Sequence, residues 1–235
     1  MAKKTSEGKC NLCGKTFGKA AMTRHLQKCL AAQPQSTRRT KPRKTFHVMV
    51  DGAWLAHYWM HIELAAEDTL ETLDQFLRDI WLECCGHLSA FTINKQRYSV
   101  SPANEMFDFT DFHEENMNHK IQDVLQVGAK FTYEYDFGTT TELNLKVVAE
   151  REGTIKKNQV LILARNNPPD AICEECHKQP ATQVCSVCVY YEKAWYCDNC
   201  APKHKCARKG EDYFLPVVNS PRVGQCGYTG PENGI

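Results

Sequence analysis

The stretch CEECHKQPATQVCSVCVYYEKAWYCDNCAPKHKC, from Cys173 to Cys206, decides how the rest of this chain is interpreted. Its eight metal-ligating side chains follow the pattern C-x2-C-x8-C-x2-C-x8-C-x2-C-x3-H-x1-C: Cys173, Cys176, Cys185, Cys188, Cys197, Cys200, His204 and Cys206. A closed structural zinc site takes four Cys or His ligands, and both thiols of a C-x2-C turn reach the same ion. The stretch, hereafter the cysteine ladder, therefore predicts two zinc ions, with disulfides or inert buried thiols as the alternative.

A third set of ligands lies near the N-terminus, in the order Cys10-x2-Cys13-x11-His25-x3-Cys29. It resembles the classical zinc finger with cysteine in place of the last histidine, and Phe17 and Met22 fall where such a finger places its small core. The sequence thus predicts three zinc ions in all.

The near-neutral net charge of +1 conceals a strongly polarised chain. Residues 1–44 hold 12 Lys/Arg and 1 Asp/Glu, residues 45–170 hold 10 and 20, and residues 171–235 hold 7 and 7. A basic arm suggests a polyanion partner, or else an arm that is solvated or folds onto the acidic body. The side chains predicted to contact phosphates are Lys15, Lys19, Arg24, Lys28, Arg38, Arg39, Lys41, Arg43 and Lys44.

Sequence-specific reading by the finger is not expected. If His25 takes its usual place on a helix, the base-facing positions fall near Gly18, Ala21 and Arg24, and two of these have almost no side chain. The prediction is therefore salt-sensitive contact with the backbone of DNA or RNA.

Hydrophobic periodicity predicts an α+β body with a mostly antiparallel sheet and few helices, flanked by two small zinc-binding modules. The expected elements are a strand over 54–64, a helix that starts at a capping box of Asp68 and Glu71 and continues to Gly86, a hairpin around Asn94-Lys95, a short helix over 121–125, and strands over 131–137, 143–147 and 160–164.

Four stretches of the body resemble the plasmid pRiA4b ORF-3-like family, whose members are also described as passenger TnpR-type proteins of insertion elements. They are Trp59–Glu63, Thr69–Cys85, His87–Phe91 and Tyr133-Glu134-Tyr135-Asp136-Phe137-Gly138. The resemblance covers residues 46–165 and implies an α+β core and a link to mobile elements, without an established activity. In many members the last stretch continues with Asp, Trp and His, whereas this chain has Thr139 to Leu143.

The order of ligands in the ladder resembles the cross-brace modules of the B-box and MYND kind. That resemblance implies one zinc on Cys173, Cys176, Cys197 and Cys200, and the other on Cys185, Cys188, His204 and Cys206. A sequential arrangement, with the four cysteines up to Cys188 on one ion, stays open, as does replacement of one ligand by His177. The aromatic residues Tyr190, Tyr191, Trp195 and Tyr196 are expected to pack as the module's core.

The remaining chemistry-bearing residues are given structural roles. Cys84, Cys85 and His87 are interpreted as residues of a helix end with buried thiols, with a fourth metal site as the alternative, and Cys226 as a lone free thiol. His57 and His61 are interpreted as surface or packing histidines. An acidic run of Asp108, Asp111, His113, Glu114 and Glu115 has the ligand types for Mg²⁺ or Mn²⁺, with a solvated loop as the alternative.

The predicted domains are a zinc finger at 1–31, a basic linker at 32–44, the α+β domain at 45–166, a two-zinc cysteine-rich module at 167–212 and a Gly/Pro-rich tail at 213–235. The first residues lack an apolar run, and no segment approaches the roughly 18 apolar residues that span a bilayer, so a soluble, cytoplasmic protein without membrane contact is expected.

The leading functional hypothesis is a non-enzymatic zinc protein that contacts nucleic acid through the finger and arm and a protein through the ladder. One alternative is a metal-dependent nuclease or recombination enzyme that uses residues 108–115, and another is an adaptor that binds proteins alone. No small-molecule substrate is evident.

Overall fold

The structure is a computed structural model that describes residues 6–32, 41–102, 114–207 and 213–231. The chain divides into two units. Unit 1 comprises Met1–Phe76 and Leu88–Asn167, and unit 2 comprises Leu77–His87 and Pro168–Ile235.

Ten strands and three α-helices lie between Glu7 and Asn166 in the described residues. In chain order they are β1 (Glu7–Cys10), β2 (Thr16–Gly18), α1 (Lys19–Ala31), β3 (Arg43–Gly52), β4 (Trp59–Ala65), α2 (Leu70–Leu77), β5 (Ser89–Ile93), β6 (Gln96–Ser99), β7 (Glu114–Asn116), α3 (Ile121–Val124), β8 (Lys130–Tyr135), β9 (Thr141–Gly153) and β10 (Val160–Asn166). Within the described ranges, the ten strands form one sheet in the order β2-β1-β10-β4-β3-β9-β8-β5-β6-β7. Among the strands of the described residues, only β6 and β7 pair in parallel, so the α+β class with a mostly antiparallel sheet is confirmed.

The predicted hairpin and its neighbouring strands are present, although the strand predicted over 131–137 ends at Tyr135 and leaves Phe137 exposed. Asn94 and Lys95 have φ of 50° and 73°, the positive values that a two-residue hairpin turn needs at both central positions. The turn joins β5 to β6, and β5 also pairs with β8, which pairs in turn with β9. The apolar alternation of the sequence matches burial here, since Phe131, Tyr133 and Tyr135 are all buried on β8.

The finger segment extends the edge of this large sheet. Strand β1 pairs with β10 in antiparallel register, with Cys10 opposite Ala164. Helix α1 buries Met22, Leu26 and Leu30 in a cluster shared with strand residues. The other buried residues of this cluster are Cys10, Trp59, Leu163 and Ala164. The finger's apolar core is therefore continuous with the edge of the sheet.

The strand predicted over 54–64 is misplaced at its start. Strand β4 begins at Trp59, and before it the chain turns, with the backbone N–H of Tyr58 donating to the carbonyl of Leu55 at 2.9 Å. Trp54 is 85% exposed. All seven residues of β4 are buried, because α1 covers one face of the strand: Trp59 lies in the α1 cluster and His61 contacts Thr23. Burial on both faces removes the alternation that the prediction assumed.

Strand β3 is absent from the predictions for the same reason. It begins at Arg43, pairs with both β4 and β9, and buries polar Thr45 and His47 beside apolar Phe46 and Val48. A central strand with two covered faces does not show a period of two.

Two buried histidines face each other across β3 and β4. The Nε2 atom of His47 lies 2.8 Å from Nδ1 of His61. Burial lowers the pKa of His47 to about 4 and that of His61 to about 3. Both imidazoles are therefore neutral near pH 7, and His61 is a packing residue, in agreement with its interpretation from the sequence.

The predicted helix from Asp68 to Gly86 is shorter and starts differently. The backbone N–H of Glu71 donates to the carbonyl of Met117, and the carboxylate of Asp68 accepts from the N–H of Asn158. The capping box is thus replaced by long-range hydrogen bonds. After α2 the backbone continues as a π-helix over Arg78–Leu82, which ends well before Gly86.

Unit 2 contains a second, small sheet. Its strands are β11 (Gln183–Cys185), β12 (Trp195–Tyr196) and β13 (Phe214–Pro216), in the order β12-β11-β13. A 3₁₀ turn over Ala201–Lys203 follows β12. None of the helices in the described part of the chain has the length and apolar character required to cross a membrane.

Candidate metal centres

The four C-x2-C pairs close the same backbone turn. In each, the N–H of the residue after the second cysteine donates to the carbonyl of the first cysteine, at 2.8–3.0 Å: Gly14 to Cys10, His177 to Cys173, Val189 to Cys185, and Ala201 to Cys197. Gly14 and His177 have positive φ, of 76° and 54°. This turn places both thiols of a pair on one side of the backbone, as a shared metal ion requires.

The finger brings its four predicted ligands together. The ligand atoms of Cys10, Cys13, His25 and Cys29 all lie within 4.8 Å of one another. Sγ of Cys13 is 3.2 Å from Nε2 of His25, whose ring stacks on Phe17 at 4.3 Å between centroids. A backbone hydrogen bond from Lys15 lowers the pKa of Cys13, which favours the thiolate that a metal needs.

The cysteine ladder forms two interleaved sets of ligands. Cys173, Cys176, Cys197 and Cys200 make one set, and Cys185, Cys188, His204 and Cys206 make the other, each within 4.8 Å. This is the arrangement implied by the cross-brace resemblance, and neither set includes His177. Although burial raises the pKa of Cys173, backbone hydrogen bonds from Cys176, Cys197 and Glu175 lower it to about 6.

The separations between ligand atoms fit a tetrahedral zinc ion. Zn–S bonds of about 2.3 Å imply sulfur atoms about 3.8 Å apart around one ion. Sγ of Cys176 lies 3.9 Å from Sγ of Cys197, and Sγ of Cys188 lies 3.8 Å from Sγ of Cys206. A disulfide would require about 2.0 Å, and none of the cysteines, all of which lie in the described ranges, forms one. The residues of these three clusters therefore fit zinc.

A fourth cluster was missed by the sequence analysis. Cys84, Cys85, His87 and Cys226 also bring their ligand atoms within 4.8 Å of one another. Cys226 is therefore not a lone thiol. Cys84, Cys85 and His87 do follow the end of a helix, but Cys84 is only half-buried and Cys85 is exposed, so the expectation of buried thiols is wrong. The number of cysteines in the sequence indicates this cluster. The predicted sites use ten of the 13 cysteines and leave these three, and His87 follows Cys85 closely.

The aromatic residues of the ladder divide between the interior and the surface. Tyr196 is buried, with its ring 4.7 Å from that of His204 and 5.9 Å from that of Phe214. Tyr190 and Tyr191 are exposed, Tyr191 by 87%. The expectation that all four aromatics form a core is thus wrong for these two, because strands of two and three residues cannot cover them.

The predicted phosphate-contacting residues have different surroundings. Lys15, Arg24, Lys28 and Lys41 are exposed, whereas Arg38 and Arg39 lie outside the described residues. Lys19 is half-buried and forms an ion pair with Asp51. Lys44 pairs with Glu150 at 2.8 Å, and Arg43 is half-buried in β3.

The acidic run is described only in part. Asp108, Asp111 and His113 lie outside the described residues. Glu114 pairs with Arg97 at 2.8 Å, and Glu115 pairs with His119 at 2.8 Å. The two described carboxylates are therefore engaged in ion pairs.

The fold and these clusters define a class: an α+β protein built on one large antiparallel sheet, with Cys/His clusters suited to metal ions. Residues 45–178, more than half of the chain, match the family described as Plasmid pRiA4b ORF-3-like protein. The chain belongs to this family.

A solved structure is similar to part of this chain. The crystal structure of a protein of unknown function, MM3350, from Methanosarcina mazei Go1 is similar at a TM-score of 0.44 and 15% identity, over 55% of this chain and 72% of that chain. No curated protein matches this chain.

Proposed function

We propose that this chain is a zinc-binding, non-enzymatic, cytoplasmic protein that contacts nucleic acid through its finger and arm and a protein through its ladder. The family's plasmid origin supports a link to a mobile element. The absence of a catalytic role is supported by the ligand count, because four Cys or His ligands per cluster complete a structural zinc site and leave no position for a substrate.

The observation that carries the nucleic-acid proposal is the outer face of α1. Its inner face is used by Met22 and Leu26, which pack toward the sheet. Arg24 and Lys28 lie one turn apart on the exposed side, and Lys15 is exposed in the loop before β2. These three charges suit a polyanionic backbone, and the small side chains at Gly18 and Ala21 suit contact without base reading.

Neutralising this face is expected to weaken nucleic-acid binding. In the triple variant Lys15→Gln, Arg24→Gln, Lys28→Gln, affinity for a mixed-sequence duplex at low salt falls. If all three contact phosphates, the slope of log affinity against log salt becomes shallower by up to about 2.7, since each contact contributes about 0.9. A fluorescence anisotropy titration at several salt concentrations measures both quantities.

The matched control removes three exposed lysines elsewhere in unit 1, in the variant Lys120→Gln, Lys156→Gln, Lys157→Gln. It has the same net charge as the test variant and should keep the wild-type slope. Equal losses in the two variants, or no binding by the wild-type chain, would contradict nucleic-acid contact at the finger and favour the adaptor alternative.

The protein-contact proposal is supported by exposed apolar side chains on the ladder. Val187, Tyr190 and Tyr191 lie within five residues, and each is exposed. Aromatic side chains are enriched at protein interfaces, where their burial contributes much of the affinity.

Removing the two tyrosines is expected to abolish partner capture. The variant Tyr190→Ser, Tyr191→Ser is compared with the wild-type chain in a pull-down after nuclease treatment, at salt high enough to dissociate nucleic acid. The control Val100→Ser, Val127→Ser removes two exposed apolar side chains from unit 1. A partner that the tyrosine variant retains, or that both variants lose, would argue against contact at this surface.

A further inference from the structure

We propose that Cys84, Cys85, His87 and Cys226 form a fourth zinc site, which joins the C-terminal segment of unit 2 to its Leu77–His87 segment. Nε2 of His87 lies 3.2 Å from Sγ of Cys226, and Sγ of Cys85 lies 3.9 Å from the same sulfur. These separations are close to those in the three clusters already described. They fit the edges of a tetrahedron around zinc, about 3.8 Å between two sulfurs.

The use of cysteine over the whole chain supports the site. All 13 cysteines fall into four clusters, and each cluster has four ligands. The finger and the second ladder set each combine three cysteines with one histidine, and the fourth cluster has the same composition. Its ligands come from positions 139 residues apart, at His87 and Cys226. Unrelated surface thiols have no physical reason to converge on a histidine in this way.

The loop that carries three of the ligands is held by hydrogen bonds. Gly86 has a φ of 71°, which turns the chain between Cys85 and His87. Its N–H donates to the carboxylate of Glu83 at 2.6 Å. Arg78 pairs with that carboxylate at 2.8 Å and donates to the carbonyl of His87 at 2.7 Å. These hydrogen bonds fix the backbone of the loop that carries Cys84, Cys85 and His87.

A buried arginine supplies a matching charge. Arg222 is 0% exposed, and its Nη2 lies 3.4 Å from Sγ of Cys84. A zinc ion with three thiolates and one neutral histidine carries a net charge of −1, which the guanidinium offsets. Burial of a cation costs free energy unless an anionic group accompanies it, and a zinc-bound thiolate provides that group.

The C-terminal segment is held close to this loop by a second contact. The hydroxyl of Ser220 donates to the carbonyl of Trp81 at 2.6 Å and accepts from the N–H of Arg222 at 2.9 Å. Cys226 follows four residues after Arg222, with a φ of 45° between Gly224 and Gly227, which also have positive φ. A bond between Sγ of Cys226 and the zinc ion would join this segment to the loop that follows the π-helix.

The fourth site differs from the others in accessibility. It lacks a C-x2-C turn and has no buried ligand, since Cys85 is exposed and Cys84 and His87 are half-buried, whereas three ligands of the second ladder set are buried. Cys226 is exposed as a whole residue. We therefore expect its zinc to be the first that a chelator removes.

Zinc content tests the site directly. Native mass spectrometry of the full chain, purified under reducing conditions, is expected to show four zinc ions. Cys226→Ser and Cys85→Ser are each expected to show three, and the neighbouring exposed control Thr229→Ala four. Three ions in the wild-type chain, or a disulfide between Cys85 and Cys226, would overturn the proposal.

A second measurement needs no substitution. During a chelator time course with alkylation, peptide mapping is expected to find Cys84, Cys85 and Cys226 modified together with release of the first zinc. Release from the finger or ladder first, with these three thiols reactive from the start, would also overturn it. Both readouts concern metal alone, so their failure is distinguishable from failure of nucleic-acid or protein binding.

Discussion

Replacement of Cys197 by serine is expected to release both zinc ions of the cysteine ladder and to unfold the residues around them. The three strands of its sheet have three, two and three residues, which cannot form a stable sheet without support. A structural zinc ion contributes on the order of 10–16 kcal/mol to the folding of such small modules. The two ligand sets are interleaved, so loss of the first ion removes an anchor of the second.

The measurement is zinc per chain together with amide NMR signals from the ladder. The matched control is Asn199→Ser, an exposed residue in the same turn that belongs to neither ligand set. Loss of both ladder ions and of dispersed ladder signals is expected for Cys197→Ser alone. Loss of a single ion with the ladder otherwise folded would contradict the interleaved arrangement and favour a sequential one, in which each ion is held by its own half.

Replacement of Leu26 by alanine is expected to destabilise unit 1 by about 2–5 kcal/mol, the range for deleting a fully buried leucine side chain. Leu26 is 0% exposed and lies in one cluster with Trp59 of β4 and Leu163 of β10. Its loss therefore leaves a cavity between the finger helix and the sheet, although every zinc ligand remains.

Urea unfolding followed by circular dichroism measures the effect. Gln27→Ala is the control, because it makes a similar truncation at the next, exposed position of α1. A lower midpoint for the main transition is expected only for Leu26→Ala. If the finger unfolded separately and the sheet kept its wild-type midpoint, the shared core would carry no stability, and the finger would behave as an independent module.

Local chemistry explains which predictions agree with the structure. Thiol spacing alone identified the finger and ladder ligands, because a C-x2-C turn closes within five residues whatever surrounds it. The hairpin at Asn94-Lys95 was predictable because two apolar runs flank a two-residue turn, and Asn94 readily takes the positive φ that the turn needs. Strands β8 and β9 were predictable because the alternation of apolar residues matches their one-sided burial.

Predictions failed where burial depends on distant segments. Strand β3 and the true start of β4 were obscured because both strands are buried on two faces, and no local pattern records that cover. Helix α1 contributes to it by packing against Trp59 of β4 and by the ion pair between Lys19 and Asp51 of β3. The capping box at Asp68 and Glu71 is present in the sequence, yet both residues bond to positions far along the chain. Local propensity was outweighed there by tertiary hydrogen bonds.

The sequence by itself identified ten cysteines that the structure gathers into candidate metal clusters, the α+β class, the family and the basic character of the N-terminal segment. Each of these depends on residue types and short spacings. Only the tertiary structure decided that the finger joins the sheet through β1 and β10, that the ladder ligands interleave, and that Cys226 meets Cys84, Cys85 and His87. The first and third of these features require contacts between segments more than a hundred residues apart, and the second is a choice between two pairings of the same ligands. The free energy of these contacts comes from three-dimensional packing, which the spacing of residues along the chain does not encode.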